Sequence, residues 1–193
     1  MIYIGVTGHR IIKEEDTLEA GIKESLARIE QRFPGQAWTV LSSLAEGADQ
    51  MVARLVIERQ PMATLIVPLP FPEEEYLRDF SNAESRQVFW RLFGIARQVI
   101  YCQQLPTHED SYVAAGEYIC EHCDVLIALW DGKAARGKGG TADIVQQARR
   151  HRLPLIWVYC INQAKTDELD SHDINQGLVR YERFFPASEN KNT

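Results

Sequence analysis

Long apolar segments are missing from this sequence of 193 residues. No run approaches the roughly 20 consecutive apolar residues that cross a membrane as a helix. The chain opens on the strand-like residues 2–6, whereas a secretion signal opens on a basic segment followed by an apolar one. We therefore expect a cytoplasmic protein without a membrane partner.

An excess of positive charge is missing as well. The formal net charge is -6, and the hydrophobic fraction of 45% and the charged fraction of 25% are ordinary for a globular protein. A negative chain disfavours a broad nucleic-acid surface or an acidic-lipid surface, although local basic sites remain possible. The composition therefore predicts no broad nucleic-acid surface.

Cysteine is scarce, and its spacing is incomplete for a zinc site. The chain has four cysteines. Cys120 and Cys123 have CxxC spacing, but no second CxxC supplies the other two ligands, and no thioredoxin-like context surrounds the pair. We predict a structural role for both thiols and no metal site, with metal or redox chemistry as the alternative.

Two common nucleotide-binding fingerprints are also absent. The NAD fingerprint needs three glycines in the first turn and an acid after the second strand, whereas this chain has Gly5 and Gly8, then Ser42 and Ser43. A P-loop closes on Gly-Lys-Ser/Thr, whereas Lys138 precedes the glycines of its loop. These absences exclude NAD-binding, kinase and ATPase classes, and no cofactor is predicted.

The sequence does contain a regular alternation of apolar strand-like runs and amphipathic helical stretches. This alternation predicts an α/β fold with an open, mostly parallel sheet of about six strands and helices on both faces. The predicted strands are 2–6, 38–41, 63–67, 98–102, 125–130 and 154–161, and the clearest predicted helices are 16–32, 112–122 and 142–151.

One domain accounts for the length of the chain. We expect it to cover residues 1–186, with a solvated loop at 167–173 and a disordered tail at 187–193. Residues 76–93 predict one bent helix or two short ones, and a last short element is expected from Leu178, Tyr181, Phe184 and Phe185. Either core packing or a homodimer contact would use Tyr76, Phe80, Phe89, Trp90 and Phe93.

The segment after the fifth predicted strand is rich in glycine. Gly139, Gly140 and Thr141 lie between that strand and a helix. Glycine lets a ligand approach the backbone, and the free N–H groups of a helix N-terminus attract an anion. The loop therefore predicts a phosphate site, and the alternative is a tight turn in which Thr141 caps the helix.

The ends of other predicted strands also carry glycine, hydroxyl, proline or charged residues. In an open parallel sheet, ligands bind beyond the carboxyl ends of the strands, where the strand order reverses. We therefore expect the loops after the first, second, third and fifth strands to form one cleft. Its candidate ligand-binding residues are Thr7, Gly8, His9, Arg10, Ser42, Ser43, Glu46, Gly47, Asp49, Pro68, Asp131, Gly139, Gly140 and Thr141.

Three motifs of these loops occur in a characteristic order. They are GVTGHR at 5–10, SLAEGAD at 43–49, and residues 124–132 followed by Gly139-Gly140-Thr141. Together they resemble the Rossmann-like SLOG superfamily, which contains the YpsA-like proteins, the DNA-processing protein A fold and the "lonely guy" or lysine-decarboxylase-like phosphoribohydrolases. The resemblance covers about residues 2–161. It implies a Rossmann-like fold and a site for a nucleotide or a nucleotide-derived molecule.

The resemblance suggests roles for the first loop and the glycine-rich loop. Gly140 and Thr141 would hold a phosphate through backbone N–H groups and the threonine hydroxyl. Gly8 would let the first loop approach the ligand closely. Arg10 would pair with phosphate or form a surface salt bridge, and His9 would donate to the ligand or cap its strand end.

The remaining loops would contribute polar groups to the same cleft. Ser43 and Gly47 would bring hydroxyl and backbone donors. Asp49 would accept hydrogen bonds from ribose hydroxyls or cap the following helix, and Asp131 would play a similar polar role.

Catalysis depends on one carboxylate. In the phosphoribohydrolases a glutamate lies three residues after the threonine of the glycine-rich loop, but here that position is Ile144. Asp143 is one residue short, about 100° away around a helix, and Glu46 is a second possible acid or base. We therefore predict binding or sensing of a nucleotide-derived ligand without catalysis. The alternative is an N-glycosidase that releases the base from a nucleoside monophosphate.

Overall fold

The computed structural model describes residues 1–13, 16–134, 138–163 and 175–184. Within these ranges the chain forms one sheet of seven strands with helices on both sides. The strands are β1 (Ile2–Gly8), β2 (Trp38–Leu41), β3 (Thr64–Leu69), β4 (Gln98–Tyr101), β5 (Val125–Trp130), β6 (Leu155–Tyr159) and β7 (Val179–Glu182). The helices are α1 (Asp16–Arg32), α2 (Ala48–Arg59), α3 (Glu73–Tyr76), α4 (Ala83–Phe93), α5 (His108–His122) and α6 (Thr141–Arg150), and a 3-10 turn covers Leu77–Asp79.

The strands are ordered β4-β3-β2-β1-β5-β6-β7 across the sheet. Neighbouring strands are parallel except β6 and β7, which are antiparallel. The chain fills one half of the sheet outward from β1 to β4, then returns to the centre and fills the other half from β5. This Rossmann-like α/β architecture confirms the predicted fold class.

Apolar side chains cover both faces of the sheet. Helices α1, α2 and α4 pack on one face through residues such as Ile22, Met51 and Phe89. Helices α5 and α6 cover the other face through Ile119 and Val145. All six residues of β5 are buried, as expected for a central parallel strand. No helix in the described ranges has the length and hydropathy needed to cross a bilayer.

Several element boundaries differ from the predicted ones. Helix α5 begins at His108, four residues before the predicted start, because the Thr107 hydroxyl accepts a hydrogen bond of 3.1 Å from the Asp110 N–H. The last short element is the antiparallel edge strand β7, which brings the sheet to seven strands. Its four residues are too few to show a clear alternation of apolar and polar positions. Residues 167–173, 187–193 and Phe185 lie outside the described residues.

Strand β3 extends two residues beyond its predicted end and includes Pro68. The Ile66 carbonyl accepts from the Ser42 N–H on the side of β2. Because backbone groups alternate sides along a strand, Pro68 faces the same side. Pairing with β2 ends at Leu41, opposite Ile66, so Pro68 lies where the sheet needs no donor. Pro68 is therefore a buried strand residue, and the prediction that it lies in an exit loop is wrong.

Cys120 and Cys123 are buried and unpaired in the apolar layer between α5 and the sheet. Burial raises the pKa of the Cys120 thiol to about 12 and the pKa of the Cys123 thiol still further. Both thiols are therefore protonated at neutral pH and poorly nucleophilic. The described residues contain no group of three or more His, Cys, Asp or Glu side chains placed to hold a metal ion.

The aromatic segment contributes mainly to the core. Tyr76, Phe80 and Phe89 are buried and contact one another through their rings. Trp90 is 48% exposed, and Phe93 is partly buried. Core packing therefore accounts for three of these five aromatic residues, and a homodimer contact through Trp90 stays a prediction.

Candidate functional site

The strand order reverses between β1 and β5. The loops after these two strands lead to opposite halves of the sheet and leave a crevice between them. A cavity of about 500 Å³, here called the cleft, opens at this point. It is lined by Gly8, His9, Arg10, Ile11, Glu46, Asp79, Ser81, Trp130, Asp131, Lys133, Ala134, Lys138, Gly139, Gly140, Thr141, Ala142 and Asn162.

His9 connects the ends of three strands at the cleft. Its imidazole is buried, and its Nε2 accepts a hydrogen bond of 3.0 Å from the Asp131 N–H and lies 3.2 Å from the Asp131 carboxylate. On the other side of the ring, Nδ1 lies 3.3 Å from the Asn162 amide nitrogen. Asp131 follows β5 and Asn162 follows β6, so these contacts join both loops to the end of β1. This geometry favours the strand-capping role of His9 over donation to a ligand.

Gly8 and Gly47 allow two loops to approach each other. A Cβ on Gly8 would lie 2.4 Å from the Ala48 Cβ and 2.9 Å from the Leu129 carbonyl oxygen. Gly47 has a φ of +80°, and a Cβ there would lie 2.2 Å from the Arg10 carbonyl oxygen. Glycine is therefore needed at both positions by the contact between the β1 loop and the start of α2.

Arg10, Glu46 and Ser81 form a polar wall on one side of the cleft. Arg10 Nη2 donates to the Asp79 carbonyl and lies 3.4 Å from Glu46 Oε1. The Glu46 carboxylate is buried, and its Oε2 accepts from both the N–H and the hydroxyl of Ser81 at 2.9 Å. The Arg10 guanidinium also lies 5.7 Å from the centroid of the Phe80 ring. The first two loops are thus joined to the segment that precedes α4.

Apart from Glu46, the loop after β2 does not line the cleft. Ser42 is buried, and its hydroxyl donates to Asp49 Oδ2 at 3.0 Å. Burial raises the pKa of Asp49 to about 7, although the hydrogen bonds from Ser42 and from the backbone of Ala45 and Ser43 oppose that rise. Asp49 therefore organises its own loop through these contacts and does not line the cleft, and α2 has no hydrogen bond from a capping side chain.

The N-terminus of α6 forms the opposite wall. Gly140 is the N-cap residue of α6 and has no side chain to cap the helix. No described residue accepts a hydrogen bond from the N–H groups of Thr141 or Ala142. Lys138, beside them, forms an ion pair of 2.9 Å with Asp110 of α5. This wall therefore presents two N–H groups that no described residue uses, beside an ammonium group that is paired with Asp110.

The candidate catalytic carboxylates have structural partners. Asp143 Oδ2 accepts from the Gly139 N–H at 3.0 Å, and Asp143 does not line the cleft. Ile144, at the position of the missing glutamate, is buried so tightly against α5 that a Cβ on Gly116 would lie 2.2 Å from its Cδ1. Glu46 does line the cleft, but it holds Arg10 and Ser81. The position that carries the acid in the phosphoribohydrolases belongs here to the core.

The structure divides the predicted site residues into two groups. Those that line the cleft are Gly8, His9, Arg10, Glu46, Asp131, Gly139, Gly140 and Thr141. Those that do not are Thr7, Ser42, Ser43, Gly47, Asp49, Pro68 and Asp143. Asp79, Ser81 and Asn162 also line the cleft but were not predicted, because the contacts that join them to the predicted residues span at least 35 positions. Residues 135–137 of the glycine-rich segment lie outside the described part of the chain.

No protein-family model and no curated protein matches the sequence. Its structure is similar to the X-ray structure of DNA processing protein A (DprA) from Streptococcus pneumoniae, with a TM-score of 0.52 and 13% sequence identity. The match covers 88% of this chain and 52% of that one, so the chain spans about half the length of the solved structure. At this identity the likeness concerns the fold, and it agrees with the Rossmann-like architecture described above.

Proposed function

We propose that this protein binds or senses a nucleotide or a nucleotide-derived molecule in the cleft and does not cleave it. The observation that carries the proposal is the uncapped N-terminus of α6, where Thr141 and Ala142 line the cleft opposite Arg10. The N–H groups and the dipole of such a helix end bind phosphate. The position of the cleft at the reversal of a parallel sheet supports the same class of ligand.

The other cleft residues suit the nucleoside part of such a ligand. The carboxylates of Glu46, Asp79 and Asp131 have lone pairs that can accept hydrogen bonds from ribose hydroxyls. Ile11 and Trp130 add apolar surface on which a base can lie. The cleft therefore combines an anion site for the phosphate, hydrogen-bond acceptors for the ribose hydroxyls and an apolar contact for the base.

The same proposal places the chain in the SLOG group. Three loop motifs and the fold shared with DNA processing protein A support this grouping. The net charge of -6 favours one small anionic ligand in a local basic site over a nucleic-acid surface.

Titration by isothermal calorimetry tests the binding. The panel contains AMP, GMP, UMP, ADP, GDP, UDP and ADP-ribose, and at least one member should bind with a Kd below 1 mM, that is, with a binding free energy of about -4 kcal/mol or better. Thr141→Val removes a hydroxyl and keeps the shape of the side chain, so it should weaken that ligand. Absence of binding by every member at millimolar concentration would overturn the proposal.

Hydrolysis is the alternative, and a separate assay tests it. The wild type and the variants Asp143→Asn and Glu46→Gln are incubated with AMP, GMP and UMP, and free base is measured by chromatography. We expect no release above the buffer control, because Ile144 occupies the acid position and both carboxylates hold structural contacts. Base release that either variant abolishes would establish the N-glycosidase instead.

A further inference from the structure

A second cavity of about 400 Å³, here called the groove, lies between α2 and α4. It shares Arg10, Ile11, Glu46 and Ser81 with the cleft, so the two cavities meet at these residues. The rest of the groove is lined by Ile12, Gly47, Gln50, Met51, Arg54, Asn82, Glu84, Ser85, Val88 and Arg91. The cleft and the groove are therefore adjacent, and Arg10 belongs to the lining of both.

Arg10 stands at the junction with spare hydrogen-bonding capacity. Its Nη2 holds the Asp79 carbonyl and lies near Glu46, but no described residue accepts a hydrogen bond from its buried Nε–H. A guanidinium group has five N–H donors and binds phosphate oxygens in pairs. The junction is thus suited to a phosphate that links two parts of a ligand.

Most of the side chains that line the groove are polar, and besides Arg10 two of them, Arg54 and Arg91, are cations. Ser85, Val88 and Arg91 follow one face of α4 at helical spacing, about 13 Å along the helix from Asn82 to Arg91. Arg54 is paired with Glu19 and Glu58, whereas Arg91 forms no ion pair with any residue that the structure describes. One cation in the groove is therefore available to a ligand.

The two cavities differ in the groups that they offer. The cleft contains Trp130, whereas no aromatic side chain lines the groove in the described part of the chain. Hydroxyl, amide and charged groups such as Ser85, Asn82 and Glu84 line it instead. Such walls suit a sugar, which offers many hydroxyl groups, better than they suit a base.

We propose that the cleft and the groove form one bipartite site for a nucleoside diphosphate that carries a sugar. The nucleoside lies in the cleft, the diphosphate lies between the α6 N-terminus and Arg10, and the second sugar lies in the groove against Ser85 and Arg91. This proposal rests on the proposed function, since it extends the same ligand beyond its phosphates.

Matched pairs of ligands test the groove directly. ADP is compared with ADP-ribose, UDP with UDP-glucose, and GDP with GDP-mannose, each by calorimetry at the same ionic strength. In at least one pair the sugar-bearing member should bind tenfold tighter or more than its diphosphate.

Substitutions in the groove separate the two parts of the site. Ser85→Tyr fills the groove, and Arg91→Gln removes its available cation; each should lower the affinity for the sugar nucleotide to that of the diphosphate and leave diphosphate binding unchanged. Gln87→Tyr places the same bulk on an exposed residue of α4 outside the groove and should change neither affinity. Thermal unfolding of each variant checks that it is folded.

The outcomes distinguish the two proposals. Binding of none of the six ligands would overturn the bipartite site, and it would overturn the proposed function as well if AMP, GMP and UMP also fail to bind. Binding of a diphosphate with equal affinity for its sugar-bearing partner would overturn the bipartite site alone. The same holds if folded Ser85→Tyr and Arg91→Gln proteins keep the full advantage of the sugar nucleotide.

Discussion

Asp49 is a carboxylic acid held where a negative charge is unfavourable. Its side chain is buried, it accepts from the Ser42 hydroxyl at 3.0 Å, and its pKa is raised to about 7 mainly by burial. Such a group need not act on a ligand to affect the protein, because a pKa that differs between folded and unfolded states makes stability depend on pH. Around neutral pH, Asp49 is therefore a source of pH-dependent stability beneath the cleft.

Asp49→Asn should reduce this pH dependence. The unfolded chain releases the proton near its ordinary pKa of 3.8, whereas the folded protein keeps it until about pH 7. The folded state thus binds more protons, and the free energy of unfolding falls as pH rises through this interval. The free energy of unfolding is measured by urea denaturation at pH 5 and at pH 8. Between these two pH values it should fall by roughly 1 to 3 kcal/mol more in the wild type than in the variant.

An exposed acid provides the control for this measurement. Glu121→Gln on α5 removes a carboxylate in contact with solvent, so its loss between the two pH values should match that of the wild type. If the free energy of unfolding of Asp49→Asn falls as much between pH 5 and pH 8 as that of the wild type, the pKa of Asp49 does not differ between the folded and unfolded states as described.

At the scale of elements, the close packing of β1 against β5 and α2 depends on the absence of a side chain at Gly8. Gly8→Ala would place a Cβ 2.4 Å from the Ala48 Cβ and 2.9 Å from a backbone oxygen of β5. Overpacking of this kind should destabilise the protein by about 1 to 3 kcal/mol, measured by urea denaturation. Gly140→Ala is the matched control, because a Cβ there has no neighbour within 4 Å. Equal stability of Gly8→Ala and the wild type would contradict the described contact.

Elements were predictable where one local pattern decides them. Helix α1 has the bounds that its apolar spacing predicts, because Leu18, Ile22 and Leu26 all lie on its buried face. The end of strand β3 was not predictable, because β3 can include Pro68 only where pairing with the neighbouring strand has ended. Ser81 was not predictable as a cleft residue either, since its place depends on the distant carboxylate of Glu46. Local patterns carry no information on such contacts.

At the scale of the whole molecule, the position of the strand reversal decides which predicted loops form the site. The loops after β1 and β5 flank the reversal, and they supply the predicted residues that line the cleft, together with Glu46. Strands β2 and β3 lie one and two positions away from β1. Ser42 and Pro68, at the ends of these two strands, are therefore buried in the packing of the sheet and do not line the cleft. The sequence indicated the loops but not the strand order.

The α6 N-terminus is the proposed binding site for the anionic part of the ligand. Gly140→Asp tests it, since an N-cap aspartate accepts from the free N–H groups of the first turn and adds a negative charge. This change should leave the melting temperature equal or slightly higher, because Asp caps a helix at least as well as Gly. It should nevertheless weaken the best ligand of the nucleotide panel at least tenfold.

The deciding measurement is therefore calorimetric titration of that ligand into the wild type, Gly140→Asp and Gly140→Ala. An anion site at the α6 N-terminus predicts that folded Gly140→Asp loses binding at least tenfold while Gly140→Ala stays within about threefold of the wild type, a difference of less than about 1 kcal/mol. Wild-type affinity in folded Gly140→Asp would contradict it, because the anion would then bind elsewhere.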